Sequence, residues 1–130
     1  MNQEILLTSI FTYISTITDL PDIFYPNTNQ TTIPDEYLQI NVMPTIPNDI
    51  GLKEIKQNFG LIQISVVTRA NVGEIKAAKI VDKILEAFKR NTVIPTSKIR
   101  IDNTPYASQG MNIDSYYMIP ITISYNKLTV

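Results

Sequence analysis

The chain contains no histidine, no cysteine and no tryptophan, and only four glycines in 130 residues. Without histidine it can build neither an imidazole general base nor an imidazole metal ligand. With cysteine missing as well, Ser-His-Asp and Cys-His nucleophilic systems are excluded. Disulfides and thiolate sites are excluded too, so cysteine usage says nothing about redox compartment. Charge is also scarce, at 18% of residues against about 25% in ordinary soluble domains. The net charge of −1 supplies no global pull toward nucleic acid or an anionic membrane, although it leaves a local basic patch open.

Long hydrophobic runs are missing. The apolar stretch from Ile5 to Ile17 is interrupted by Thr8, Ser9, Thr12, Ser15 and Thr16, and it is too short to span a bilayer. A secretory signal needs a basic leader, whereas Met1-Asn2-Gln3-Glu4 is acidic. The expectation is a cytosolic protein in its producing cell, with no membrane partner.

What is present suits a globular core: 44% of residues are hydrophobic, and the length suits one domain over residues 1–130. Leu6, Ile10, Tyr13, Ile14 and Ile17 fall at helical spacing, which predicts a helix over 3–18. Residues 19–35 carry Pro21, Pro26 and Pro34 among Asn and Thr and read as a loop. Leu38, Ile40 and Val42 alternate with Gln39 and Asn41, which predicts a half-buried strand ended by Pro44. Ile62, Ile64 and Val66 alternate with Gln63 and Ser65 in a second strand over 59–68. A long amphipathic helix follows over 72–90, with Asn71 and Glu74 as a capping box and an apolar stripe of Ala77, Ile80, Val81, Ile84, Leu85 and Phe88. Shorter alternations predict strands over 98–102 and 117–125, separated by a 103–115 loop. Pro120 would place the last strand at an edge or in a bulge.

The expected fold class is therefore α+β. Its sheet would be a single antiparallel or mixed one of four strands, with two helices packed on one face, in the order α-β-β-α-β-β. The other sheet face, with Gln39, Asn41, Gln63, Ser65, Thr122 and Ser124, would be solvated or meet a polar partner.

Chemistry is sparse. Asp19 and Asp22 flank Pro21 without further acidic ligands or a turning glycine, so a plain turn outweighs a metal loop. Val72-Gly73-Glu74 is a helix cap rather than a phosphate loop. Lys76, Lys79 and Lys83 share a helix face that Asp82 and Glu86 dilute. The tyrosines lack the interleaved cations of a base-stacking platform. No catalytic, cofactor or metal site is expected, and the protein is read as a non-enzyme.

What remains is surface for partners. The 44–57 connection far exceeds a usual hairpin loop of roughly 2–5 residues. It carries Ile46, Ile50, Leu52 and Ile55 with Lys53 and Lys56. Two readings stay open: these side chains fold back onto the domain, or they form an arm that docks on a neighbouring subunit or a tube. Tyr106, Met111 and Ile113 in the 103–115 loop form a second candidate interaction element.

The order of elements resembles a known family. Glu36-Tyr37-Leu38-Gln39-Ile40-Asn41-Val42-Met43-Pro44, Gly60-Leu61-Ile62-Gln63-Ile64-Ser65-Val66 and the helix from Gly73 to Phe88 look like successive elements of small phage tail-terminator-like proteins. Asp114 to Tyr125 resembles their closing strand, with Tyr116 where the family often has Trp. The resemblance covers roughly residues 36–126. It implies a structural virion protein that forms a homo-oligomeric ring, commonly a hexamer. Such a ring caps the tail tube, stops its polymerisation and offers a surface to the head–tail connector, as part of a phage or prophage. Its partners would be itself, the major tail tube protein and the connector, with DNA crossing the lumen without sequence-specific binding. It would sit at the head-proximal end of the virion tail and assemble in host cytoplasm. The alternative is a small-ligand-binding or regulatory α+β domain, which would need an apolar pocket with convergent polar groups.

Overall fold

The computed structural model describes residues 3–17, 20–21, 23, 36–44, 48–49, 56–69, 74–113 and 115–129. Helix α1 covers Gln3–Ser15, strand β1 Tyr37–Pro44, β2 Asn48–Asp49, β3 Lys56–Arg69 and helix α2 Glu74–Ala87. The chain continues through β4 Arg100–Ile101, β5 Tyr106–Ala107, β6 Met111–Ile113 and β7 Tyr116–Thr129.

The class is α+β, but among the described residues the sheet has seven strands rather than four. The predicted four survive as its backbone in the order β1-β3-β7-β4, while β2, β5 and β6 are additional. The reason lies in β3 and β7, which pair antiparallel along all 14 residues of each. That ladder is long enough to hold several short segments along its flanks. β4, β5 and β6 follow one another down the outer side of β7, and β2 pairs with the start of β3. Strands of two or three residues have no periodicity of their own, so the expected 103–115 loop includes edge structure held by β7.

Pro120 does not mark an edge strand, because β7 lies between β3 and the β4–β6 segments. The amide of Ser108 donates to the Pro120 carbonyl at 2.8 Å. The N and C=O of one strand residue point the same way, so the missing Pro120 donor faces Ser108, in the gap between β5 and β6.

The alternation sorts the faces as expected. Leu38 of β1, Ile62, Ile64 and Val66 of β3, and Ile121, Ile123 and Tyr125 of β7 form one buried cluster with both helices. Leu6, Ile10 and Ile14 enter it from α1, and Ile80, Val81, Ile84 and Phe88 from the α2 region. The Tyr13 hydroxyl donates to the Ala87 carbonyl at 2.7 Å, and its ring meets Phe88 edge-on at 5.2 Å. Helix α2 is shorter than its 72–90 prediction, and the Asn71 cap lies outside the described residues.

Gly60 and Tyr125 are register partners on this buried face. A methyl at Gly60 would overlap the Tyr125 ring, so the glycine makes room for a tyrosine that is 1% exposed. Thr68 is also fully buried, and its hydroxyl has no partner among the described residues. Thr68→Val, which removes an unsatisfied hydroxyl at nearly constant shape, is expected to raise stability by about 1 kcal/mol in chemical denaturation.

Candidate interaction surfaces

The expected arm begins where β1 stops. Pro44 pairs with Gly60, yet β3 and β7 continue together for four more rows, from Phe59 with Asn126 to Lys56 with Thr129. At about 3.4 Å per residue, the ladder extends roughly 14 Å beyond the last row of β1. The chain returns to this extension as β2, which sets Asn48 against Gln57 and Asp49 against Lys56. The 44–57 connection thus starts at the last row of β1 and is held on the extension through β2 and its own last residues in β3. Lys56 belongs to β3 itself, while Ile46, Ile50, Leu52, Lys53 and Ile55 lie outside the described residues.

The second element falls on the sheet face away from the helices. Residues directly opposite in an antiparallel ladder share a face, so the register gives that surface row by row. One row holds Tyr37, Val67, Met118 and Met111, and the next outward holds Arg69, Tyr116 and Ile113. Gln39, Ser65 and Pro120 form a middle row, followed by Asn41, Gln63, Thr122 and Tyr106. Met43, Leu61 and Ser124 close the arm end.

The three residues singled out in the 103–115 loop are therefore brought onto one surface and are exposed: Tyr106 at 61%, Met111 and Ile113 at 45% each. Around them, Tyr37 and Tyr116 meet edge-on at 5.9 Å, and the Arg69 guanidinium lies 4.6 Å from the Tyr116 ring centre. Burial, reinforced by neighbouring Tyr116, raises the Tyr37 pKa above its ordinary value. The outer face is most polar in its middle rows. Met43 and Leu61 at the arm end are exposed as well, two apolar surface residues that the buried phase of their strands does not single out. Their signal is phase, since both are apolar on the face that carries Gln39, Asn41, Gln63 and Ser65.

A family pattern described as phage tail terminator protein matches residues 6–125. The chain belongs to the phage tail terminator family. A solved structure whose recorded description states no function superposes with a TM-score of 0.74 at 23% identity, covering 100% of this chain and 97% of that one. It agrees with the fold alone. No protein with a curated description matches the sequence.

Membership in the phage tail terminator family makes the chain a structural component of the virion tail that interacts with other phage tail and head proteins. The same membership places the protein among structural rather than catalytic ones.

Among the described residues, the helix side of this terminator-family chain carries surface hollows. One of about 350 Å³ is lined by Ser9, Thr12, Tyr13, Thr16, Pro95 and Thr96. Three of its hydroxyls already donate to backbone carbonyls: Ser9 to Leu6, Tyr13 to Ala87 and Thr16 to Tyr13. That leaves few free donors to orient a ligand. A second hollow, of about 270 Å³, brings Lys76, Lys79 and Lys83 beside Glu36, Leu20, Pro21 and Ile80. Lys76 pairs with Glu36 at 3.0 Å across a half-exposed surface, a contact worth little in stability.

Proposed function

We propose that this protein is a tail terminator in the strict sense. It closes into a ring on the end of the completed tail tube, stops further addition of tube subunits and presents a surface to the head–tail connector. It acts by binding alone, at the head-proximal end of the virion tail, after assembly in host cytoplasm. The observation that supports this reading most is the family match over residues 6–125. Two structural features are consistent with it. The sheet extends past β1 to carry the 44–57 connection, whose Ile46, Ile50, Leu52 and Ile55 would dock on a neighbouring subunit or the tube. The outer face exposes apolar side chains on both sides of a polar middle.

A ring of identical subunits uses heterologous contacts, which close when the rotation between neighbours divides a full turn. A hexamer is the order proposed, with DNA crossing the lumen without sequence-specific contact. Near-neutral net charge suits such a passage, because affinity for duplex DNA rises steeply with the number of phosphates neutralised.

The genetic test is tail length. In particles assembled without this protein, tubes should run over-length and remain unjoined to heads when viewed by electron microscopy. Tails of normal length joined to heads in its absence would refute the terminator reading.

A further inference from the structure

We propose that the sheet edge at β5 pairs with the β1 edge of a second copy of this chain, so that the sheet continues from subunit to subunit. The proposal rests on the assembly reading above and names the contact by which neighbours join.

Strand direction is the first argument. β1 is antiparallel to β3, β3 to β7, and β7 to both β5 and β6. β1 therefore runs opposite to β5 and β6. A second copy set beside the first in the same orientation brings its β1 antiparallel to β5, with helices and outer faces kept on matching sides. The two edges of one sheet thus supply both halves of an antiparallel contact.

Height is the second. The register puts Ile40, Ile64, Ile121 and Ala107 in one row, and Asn41, Gln63, Thr122 and Tyr106 in the next. Ile23 bridges β1 at Leu38, but from Ile40 to Pro44 no described residue other than those of β3 pairs with β1. This part of β1 and the β5 edge therefore begin at the same height, and no sliding along the strands is needed to join them.

The backbone is the third. Ser108 directs its amide into the sheet, donating to Pro120. Successive strand residues alternate, so the N–H and C=O of Ala107 point outward. Natural edges are guarded by proline, lysine or covering loops. Here Tyr106-Ala107, preceded by Pro105, contains neither residue, and both are exposed. A foreign strand would use one of these edges, whereas a second copy uses both, head to tail, as ring closure requires.

The chain has no native cysteine, so disulfide trapping carries no background. Asn41 and Tyr106 lie three strand spacings apart within one subunit, about 14 Å, beyond the roughly 7 Å between Cα atoms that a disulfide spans. The variant carrying N41C and Y106C, oxidised alone and on tail tubes, should give a ladder of covalent oligomers, while each single variant should not. Ala107→Pro removes one outward donor and no ladder bond within the subunit. It should leave the thermal unfolding midpoint in place and weaken assembly about tenfold or more. Rings seen by electron microscopy without any cross-link would overturn the edge pairing and leave the assembly reading intact. Efficient cross-linking by N41C alone would show a symmetric contact and overturn it as well. Absence of assembly even at tube ends would overturn both.

Discussion

Tyr125→Ala is expected to lower unfolding free energy by about 3–5 kcal/mol, the range for emptying a large aromatic site in a packed core. Tyr125 is the largest of the fully buried side chains and packs across the ladder onto Gly60. Domains of this kind are held by only about 5–15 kcal/mol, so the variant approaches the unfolding threshold. The pairing gives a sharper form of the test. Gly60→Ala in the parent chain drives a methyl into the ring and should cost about 1–3 kcal/mol. In the Tyr125→Ala background the ring is gone, and the same substitution should cost almost nothing. A double-mutant cycle by chemical denaturation measures this coupling. Additive effects would mean that the ring does not lie over the glycine.

The second large effect concerns assembly rather than folding. Met111→Asp combined with Ile113→Asp places two carboxylates on the exposed β6 surface. Folding stability should change by less than about 0.5 kcal/mol for each exposed substitution, as at ordinary surface sites. Association should weaken by about a hundredfold or more if these side chains are buried between subunits, because each carboxylate would be desolvated without a partner. Ile50→Asp should do the same through the 44–57 arm. Circular dichroism separates folding from light scattering or sedimentation, which read assembly. A variant that assembles normally would remove its segment from the interface.

The sequence predicted what long periodic segments can carry. β1, β3 and α2 were legible because Leu38-Ile40-Val42, Ile62-Ile64-Val66 and the Ala77–Phe88 stripe repeat often enough to fix a period and a face. The short strands were not. Tyr106-Ala107 and Met111-Asn112-Ile113 are strands because β7 offers them a ladder, a cause that lies in distant residues. The ends of β3 and β7 were hidden for a similar reason. Lys56-Gln57-Asn58 and Asn126-Lys127 look like loop residues, and only their mutual pairing extends the sheet.

The candidate surfaces divide along the same line. Tyr106, Met111 and Ile113 could be selected as apolar residues stranded in a polar loop, and the register then places them on one face. Met43 and Leu61 are harder to select, because the buried phase of each strand sets the visible pattern and an apolar residue in the opposite phase does not alter it. The arm drew notice through its length and isoleucine content, and the structure accounts for its base, a two-residue strand on an extended ladder. Pro120 carried real information that was assigned to the wrong cause. It marks a gap in the neighbouring edge, at Ser108, rather than an edge at β7.

The central claim is that this chain ends tube growth, and adding the purified protein to tubes still elongating from their own subunits tests it directly. Elongation should stop, the length distribution should shift to shorter values as more protein is added, and the protein should be found at one end of each tube. Tubes that lengthen at an unchanged rate, with the protein absent from their ends, would contradict it.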